Sequence, residues 1–177
     1  MDGSHKLRRF VEVGIAVLFA TVVPVAAGAP LTPGAAQRLV SVYGASGAVK
    51  RLTASDRQWS QVIRGIASGN EGWLRVAVSI GPGLDAHPGE EVQTALGKAL
   101  RKHAARVLAI AAFSVEEICG APDVDEYKHL APALAELRAR ELAVRNVTSS
   151  KLSSRRAECL AQFPGAEEAL RKFFVVP

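Results

Sequence analysis

Apolar residues recur at helical spacing along most of this chain, most densely between Asp56 and Ala112. Trp59, Val62, Ile63 and Ile66 stand at i, i+3, i+4 and i+7, one face of an amphipathic helix. Ser55 and Asp56 are good N-cap residues before it, Gly69 stops it, and Asn70 can cap the next. Trp73, Leu74, Val76, Ala77 and Ile80 make that second helix short and apolar on more than one side, and Gly81-Pro82-Gly83 ends it. After a polar connection over 84–89, Val92, Ala95, Leu96, Ala99 and Leu100 mark a third helix. Glu90 and Glu91 suit its start, and Arg101, Lys102 and His103 suit its end, through the macrodipole. Val107, Leu108, Ile110 and Ala111, with Phe113 as a further candidate, mark a fourth. The pattern predicts two helical hairpins. Trp59, Trp73, Leu74, Leu96, Leu100, Val107 and Leu108 are the expected core.

A shift of 34 residues lays the first hairpin on the second: Val62 falls on Leu96, Ile66 on Leu100, Trp73 on Val107 and Val76 on Ile110. That period is in the range of helical-hairpin repeats. The match is in hydrophobic positions and carries little identity, so hairpins without common repeat ancestry fit as well.

Downstream, Ser114-Val115-Glu116-Glu117 reads as a capping box opening a brief helix that ends at Gly120. Asp123 caps again, ahead of a long helix expected over 124–146, with Tyr127, Leu130, Leu134, Leu137, Leu142 and Val144 on its apolar face and Pro132 as a kink or division. Another helix is expected within 147–163. Pro164-Gly165 should then break the chain before a last short helix over 167–174. The apolar end, Phe173-Phe174-Val175-Val176, has to dock to avoid a sticky tail.

Upstream, residues 30–54 are rich in Gly, Pro, Ser and Thr and read as a loosely packing lead-in, with a short helix over 35–43. Residues 1–27 read as an export signal. Lys6, Arg8 and Arg9 precede an apolar run of 11 residues from Val13 to Val23, then Pro24 and the small residues Val25-Ala26-Ala27. Eleven residues are too few to span a bilayer, which needs about 20. The alternative is an uncleaved amphipathic anchor. The expected organisation is therefore a signal peptide over 1–27, a lead-in over 28–54 and a single helical domain over 55–177. No membrane span remains once the signal is removed.

Composition supports this picture. Hydrophobic residues make up 49% of 177 and aromatics only 6%, so an Ala-, Val-, Leu- and Ile-built helical core is favoured over a β-sandwich. Arg outnumbers Lys, 15 to 7, which reads as a GC-rich bacterial coding bias. The net charge is +5, and about +4 once residues 1–29 are set aside. Acidic and basic residues are interspersed, with no phosphate-tracking stripe, so nucleic acid is not an expected partner.

Two cysteines remain for chemistry or structure. Cys119 and Cys159 are an even pair, which in an exported protein suggests a disulfide; two buried thiols are the alternative. No CxxC suggests a redox role. His87, His103 and His129 have no metal-ligand spacing, and His5 falls in the signal. No metal or cofactor site is expected. The acidic pairs Glu90/Glu91, Glu116/Glu117, Asp123/Asp125/Glu126 and Glu167/Glu168 all stand near expected helix starts, where caps and dipole partners account for them. A catalytic acid pair among Glu71, Asp85 and Glu90 would need to converge with His87 across a cleft. No nucleophile elbow or phosphate-cradling loop is present. Asn146-Val147-Thr148 matches the glycosylation triplet, which carries little weight in a bacterial protein. No catalytic residue is assigned.

The layout of Trp73-Leu74-x-Val76-Ala77, Asp85-Ala86, Glu90 to Leu100, Val107-Leu108, Cys119 and Cys159 resembles a group of small exported all-helical bacterial proteins without an assigned activity. The hairpins also look loosely like HEAT-type repeats, which bind proteins on a concave face. The resemblance covers about 56–163. It implies an all-α fold of antiparallel hairpins, HEAT-like or an irregular bundle, with about six to eight helices and the disulfide. The expected function is a non-catalytic protein-interaction or inhibitor/immunity-type module in the periplasm or outside the cell. The alternatives are a small enzyme acting on cell-wall polymer and a carrier of a small apolar ligand.

Overall fold

The computed structural model describes residues 30–175. The expected signal peptide lies outside the described residues. Seven α-helices and three single 3-10 turns form the described part, and it contains no strand. The helices are α1 (Pro33–Thr53), α2 (Asp56–Ala67), α3 (Glu71–Ile80), α4 (Ala86–Leu108), α5 (Val115–Cys119), α6 (Leu130–Arg145) and α7 (Ser153–Val175). The central helix is α4. It packs on α2 along one side and on α6 along another, while α1 covers α3, and α7 closes over α5 and α6.

The first hairpin forms as its pattern predicts. The Ser55 side chain accepts from the Gln58 amide, and Asn70 accepts from the amides of Gly72 and Trp73. Between them Gly69 takes φ +68, a conformation open to glycine at low cost. Trp59, Val62, Ile66, Leu74, Val76, Ala77 and Ile80 are buried, and Trp73 packs on the core partly buried. Leu96, Leu100, Val107 and Leu108 are fully buried, so the expected core is the observed one.

The second hairpin differs. Its first helix begins at Ala86, not Glu90, and α4 runs on through residue 103 with a kink. His103 alone leaves helical geometry, at φ −136 and ψ 37. One non-glycine residue in the extended-to-bridge region bends a helix but does not reverse it. The helix then stops at Leu108; Ile110 and Phe113 are buried from the turn that follows. The shift of 34 residues places Gly69 on His103, and the two interruptions touch: a Cβ on Gly69 would lie 2.1 Å from the His103 ring.

The lead-in is longer and better packed than expected. Thr32 caps α1, Pro33 occupies its first turn, and the helix continues to Thr53 across an interruption at Gly44, which has φ 69. Ala36, Ala48, Val49 and Leu52 are buried. Small residues that read as a loose linker are the ones that let α1 approach closely. The Gly-Pro-Gly turn rests on it so closely that a Cβ on Gly83 would lie 2.3 Å from the Ser46 amide nitrogen.

Two further corrections concern proline. The long helix expected from Val124 begins at Leu130, after a 3-10 turn over Val124–Glu126. Pro132 therefore sits in the first turn of α6, where its missing N–H lacks a helical partner in any case. Pro164 does not break the chain: α7 passes through it. Phe163, Ala166 and Leu170, on both sides of the proline, are buried, so tertiary packing holds the helix where local propensity would end it. Of the apolar tail, Phe174 packs partly on the core, and Phe173 is half exposed and meets its ring edge-to-face at 5.2 Å.

Cys119 and Cys159 form a disulfide, with Cα atoms 5.5 Å apart, joining the end of α5 to α7. Both residues are fully buried.

Candidate functional site

Positions 87, 90, 91, 94 and 98 fall on one face of α4, since residues three and four apart stack along a helix. That face carries His87, Glu90, Glu91, Thr94 and Lys98, with Gln93 beside them. Opposite it runs α5 and the turn after it, bringing Glu117, Gly120, Ala121, Asp123, Asp125 and Glu126. Ile63, Ile118 and Arg140 complete the lining of a groove of about 540 Å³.

Three polar contacts fix these walls. Gln93 Nε2 donates to Glu117 Oε1 at 3.1 Å, and Lys98 Nζ pairs with Glu126 Oε1. Trp59 Nε1 donates to Glu91 Oε2, which ties α2 to the same rim. Glu117 is held further by its own capping box: the Ser114 hydroxyl accepts from the Glu117 amide at 3.1 Å, and Glu117 Oε2 accepts from the Ser114 amide at 2.6 Å. Asp123 caps the 3-10 turn through the Asp125 amide at 3.1 Å. The side chains of Glu90 and Asp125 make no hydrogen bond or ion pair among the described residues. The lining holds six carboxylates against Lys98 and Arg140, in a chain whose net charge is +5.

The innermost member is Arg140. It is 2% exposed, the one charged residue among the buried positions described. Its Nε donates to Glu136 Oε1 at 2.9 Å, and Glu136 Oε2 also meets Arg101 Nη1 at 3.2 Å. Room for the guanidinium comes from α4: a Cβ on Gly97 would lie 2.5 Å from Arg140 Nη1. Arg140 Nη2 is buried without a hydrogen-bond partner in the described structure. Nearby, burial raises the Tyr127 phenol above its ordinary pKa, with Glu136 adding to the shift and Arg140 opposing it.

The apolar face expected for α6 included Leu142, which is 60% exposed. The buried stripe is Ala133, Leu137, Arg140 and Val144, at i, i+4, i+7 and i+11, with Leu134 beside it. The helical spacing therefore pointed to Arg140, and only its charge argued against it.

The acidic pairs divide into two kinds. Glu116 and Glu117 do open a helix. Glu90 and Glu91 lie in the second turn of α4, and Glu167 and Glu168 lie within α7, paired to Arg171 and Lys172. Those two bonds hold both carboxyls below their ordinary pKa. Three acidic clusters that sequence placed apart thus share one groove. Glu71, Asp85 and Glu90 do not: Glu71 lines an open depression on α3 with Leu74 and Val78, Asp85 lines another with Pro82 and Pro88, and Glu90 lies in the groove with His87. His103 sits at the α4 kink, and His129 is exposed just ahead of α6. No group of three or more His, Cys, Asp or Glu side chains among the described residues is arranged to hold a metal.

No protein-family model, curated protein or solved structure matches this chain.

Proposed function

We propose that this protein is an exported, non-catalytic module that binds another protein, and that it does so by taking a basic segment of that partner into the α4–α5 groove. The groove itself carries this reading. Six carboxylates converge there on a chain of opposite overall charge, and Glu90 and Asp125 have no partner among the described residues. Charge set in a concavity raises the local concentration of an oppositely charged partner and steers its approach. The disulfide supports residence in an oxidising compartment. No helix among the described residues is long and apolar enough to cross a membrane. An inhibitor or immunity-type protein that blocks a basic surface of a toxic enzyme is one form of this function.

The alternatives have weaker support. An acid pair with His87 would need Glu71, Asp85 and Glu90 together, and they line three separate depressions. A carrier needs an enclosed apolar chamber, whereas the Leu74–Val78–Ile110 depression of about 400 Å³ is open at the surface.

The test is binding of a labelled, end-capped decapeptide of alternating Lys and Gly, measured by fluorescence anisotropy at low and moderate salt. The expected result is salt-sensitive binding that the double substitution Glu90→Gln, Asp125→Asn weakens about tenfold, at roughly 0.5–1 kcal/mol for each lost charge pair. Equal binding by both proteins contradicts the reading.

A further inference from the structure

A second depression, of about 500 Å³, shares no lining residue with the α4–α5 groove. Lys102, His103 and Arg106 of α4 line one side of it, and Asn146, Thr148 and Ser149, just past α6, line the other. No Asp or Glu is among its described lining residues. Lys102 and Arg106 stand four residues apart, a spacing at which like charges on a helix repel. Arg75, Arg145, Arg171 and Lys172 are each paired with a carboxylate four residues away. Lys102 has no such partner among the described residues, and Arg106 reaches the Gly69 carbonyl at 3.5 Å. The facing side supplies neutral donors. The Asn146 amide and the Thr148 and Ser149 hydroxyls make no hydrogen bond among the described residues. Both sides are held in place. The His103 ring packs against Gly69, while Val147 is buried and its carbonyl accepts from Arg156 Nη1 at 2.6 Å.

We propose that this depression binds the phosphate group of a small phosphate ester. The Lys102 ammonium and the Arg106 fork offset its charge, and the arginine pairs with two of its oxygens at once. The Thr148 and Ser149 hydroxyls and the Asn146 amide donate to the oxygens that face away from α4. A phosphate group has enough acceptor oxygens to engage both sides together. Ala105, Ala143 and Val147 complete the lining with apolar surface, against which the carbon part of the ester rests. The bound anion relieves the repulsion between Lys102 and Arg106. This site stands or falls independently of the acidic groove.

The test is an amide NMR titration of the full chain with glycerol 3-phosphate, with glycerol as the control. Amide signals within 102–106 and 146–149 should move with the ester and stay fixed with glycerol. Movement elsewhere alone, or none, overturns the proposal. Lys102→Gln should weaken the ester about tenfold, the range for a hydrogen bond between charged groups. Lys128→Gln removes the same charge from an exposed position outside the depression and should leave the affinity unchanged. Equal weakening by the two substitutions overturns the proposal, because overall charge would then account for the binding. Thr148→Val keeps every charge and should weaken the ester about threefold, the range for a neutral hydrogen bond. Unchanged affinity in the folded Thr148→Val protein overturns the proposal. If a variant fails to fold, the titration of the unaltered protein decides. Cosedimentation with phosphatidylcholine vesicles containing phosphatidic acid separates the two sources of the group. Vesicle binding that glycerol 3-phosphate competes away assigns a lipid headgroup, and saturable binding of the ester without vesicle binding assigns a soluble one.

Discussion

Gly65 and Gly165 show how the surroundings of one atom decide the sign of a substitution. Both are helical, so alanine should gain up to about 1 kcal/mol of helix propensity at either position. At Gly165 nothing lies within 4 Å of an added Cβ, and Gly165→Ala should raise stability by about 0.5–1 kcal/mol in urea unfolding. At Gly65 the added atom would lie 2.4 Å from the Trp73 ring, and Gly65→Ala should lower stability by about 1–3 kcal/mol. Tyr127 offers a second residue-scale check. Burial raises its phenol pKa, so the folded state retains that proton more strongly than the unfolded chain. This contribution to stability is fully present below the ordinary tyrosine pKa of 10.0 and is lost as the pH rises through the raised value. In a Tyr43→Phe protein, absorbance at 295 nm should show the remaining tyrosine ionising above 10.0 while the fold persists. Arg140 lies at the spacing of the buried stripe of α6, whereas Leu142, expected on the apolar face, is exposed.

At the scale of elements, what was legible in the sequence was what local chemistry decides. The α2–α3 hairpin follows from a 3.6-residue stripe, two side-chain caps and a glycine at φ +68. The capping box of α5 was legible for the same reason, and Ser114→Ala should cost about 1 kcal/mol there. What was not legible depends on distant partners. Pro164 stays helical because Phe163 and Leu170 are buried on either side of it, which no local pattern encodes. α1 looked like a linker because small residues fill much of its sequence and its partners, mainly α3 and the Gly81–Gly83 turn, lie further along the chain. The bend at His103 replaces a turn because no glycine is present to reverse the chain. The disulfide joins elements 40 residues apart. A closed loop of that length restricts the unfolded chain, so a Cys119→Ala, Cys159→Ala protein should be less stable by about 3–4 kcal/mol in urea unfolding. Because α5 forms one groove wall, reduction should also loosen that wall.

Across the whole molecule, charge is divided unevenly. The chain is net positive, yet the groove between α4 and α5 gathers carboxylates that sequence distributes over separate segments from Glu90 to Glu126. Glu117 caps α5 and accepts from Gln93, and Glu126 pairs with Lys98, so local duties account for those acids, while the side chains of Glu90 and Asp125 have no such duty among the described residues. Their convergence is a property of the tertiary fold. So is the burial of Arg140 beneath them, which needs α6 to lie against Gly97 of α4. Docking of a basic partner segment in this groove can be read out by carboxyl footprinting. The protein would be labelled with a water-soluble carbodiimide and an amine, with and without the capped Lys-Gly decapeptide, and mapped by mass spectrometry. Glu90, Glu117 and Asp125 should be protected, with Glu71, Glu141 and Glu168 labelled as before. Protection spread evenly over all carboxylates, or absent at Glu90 and Asp125, would contradict it.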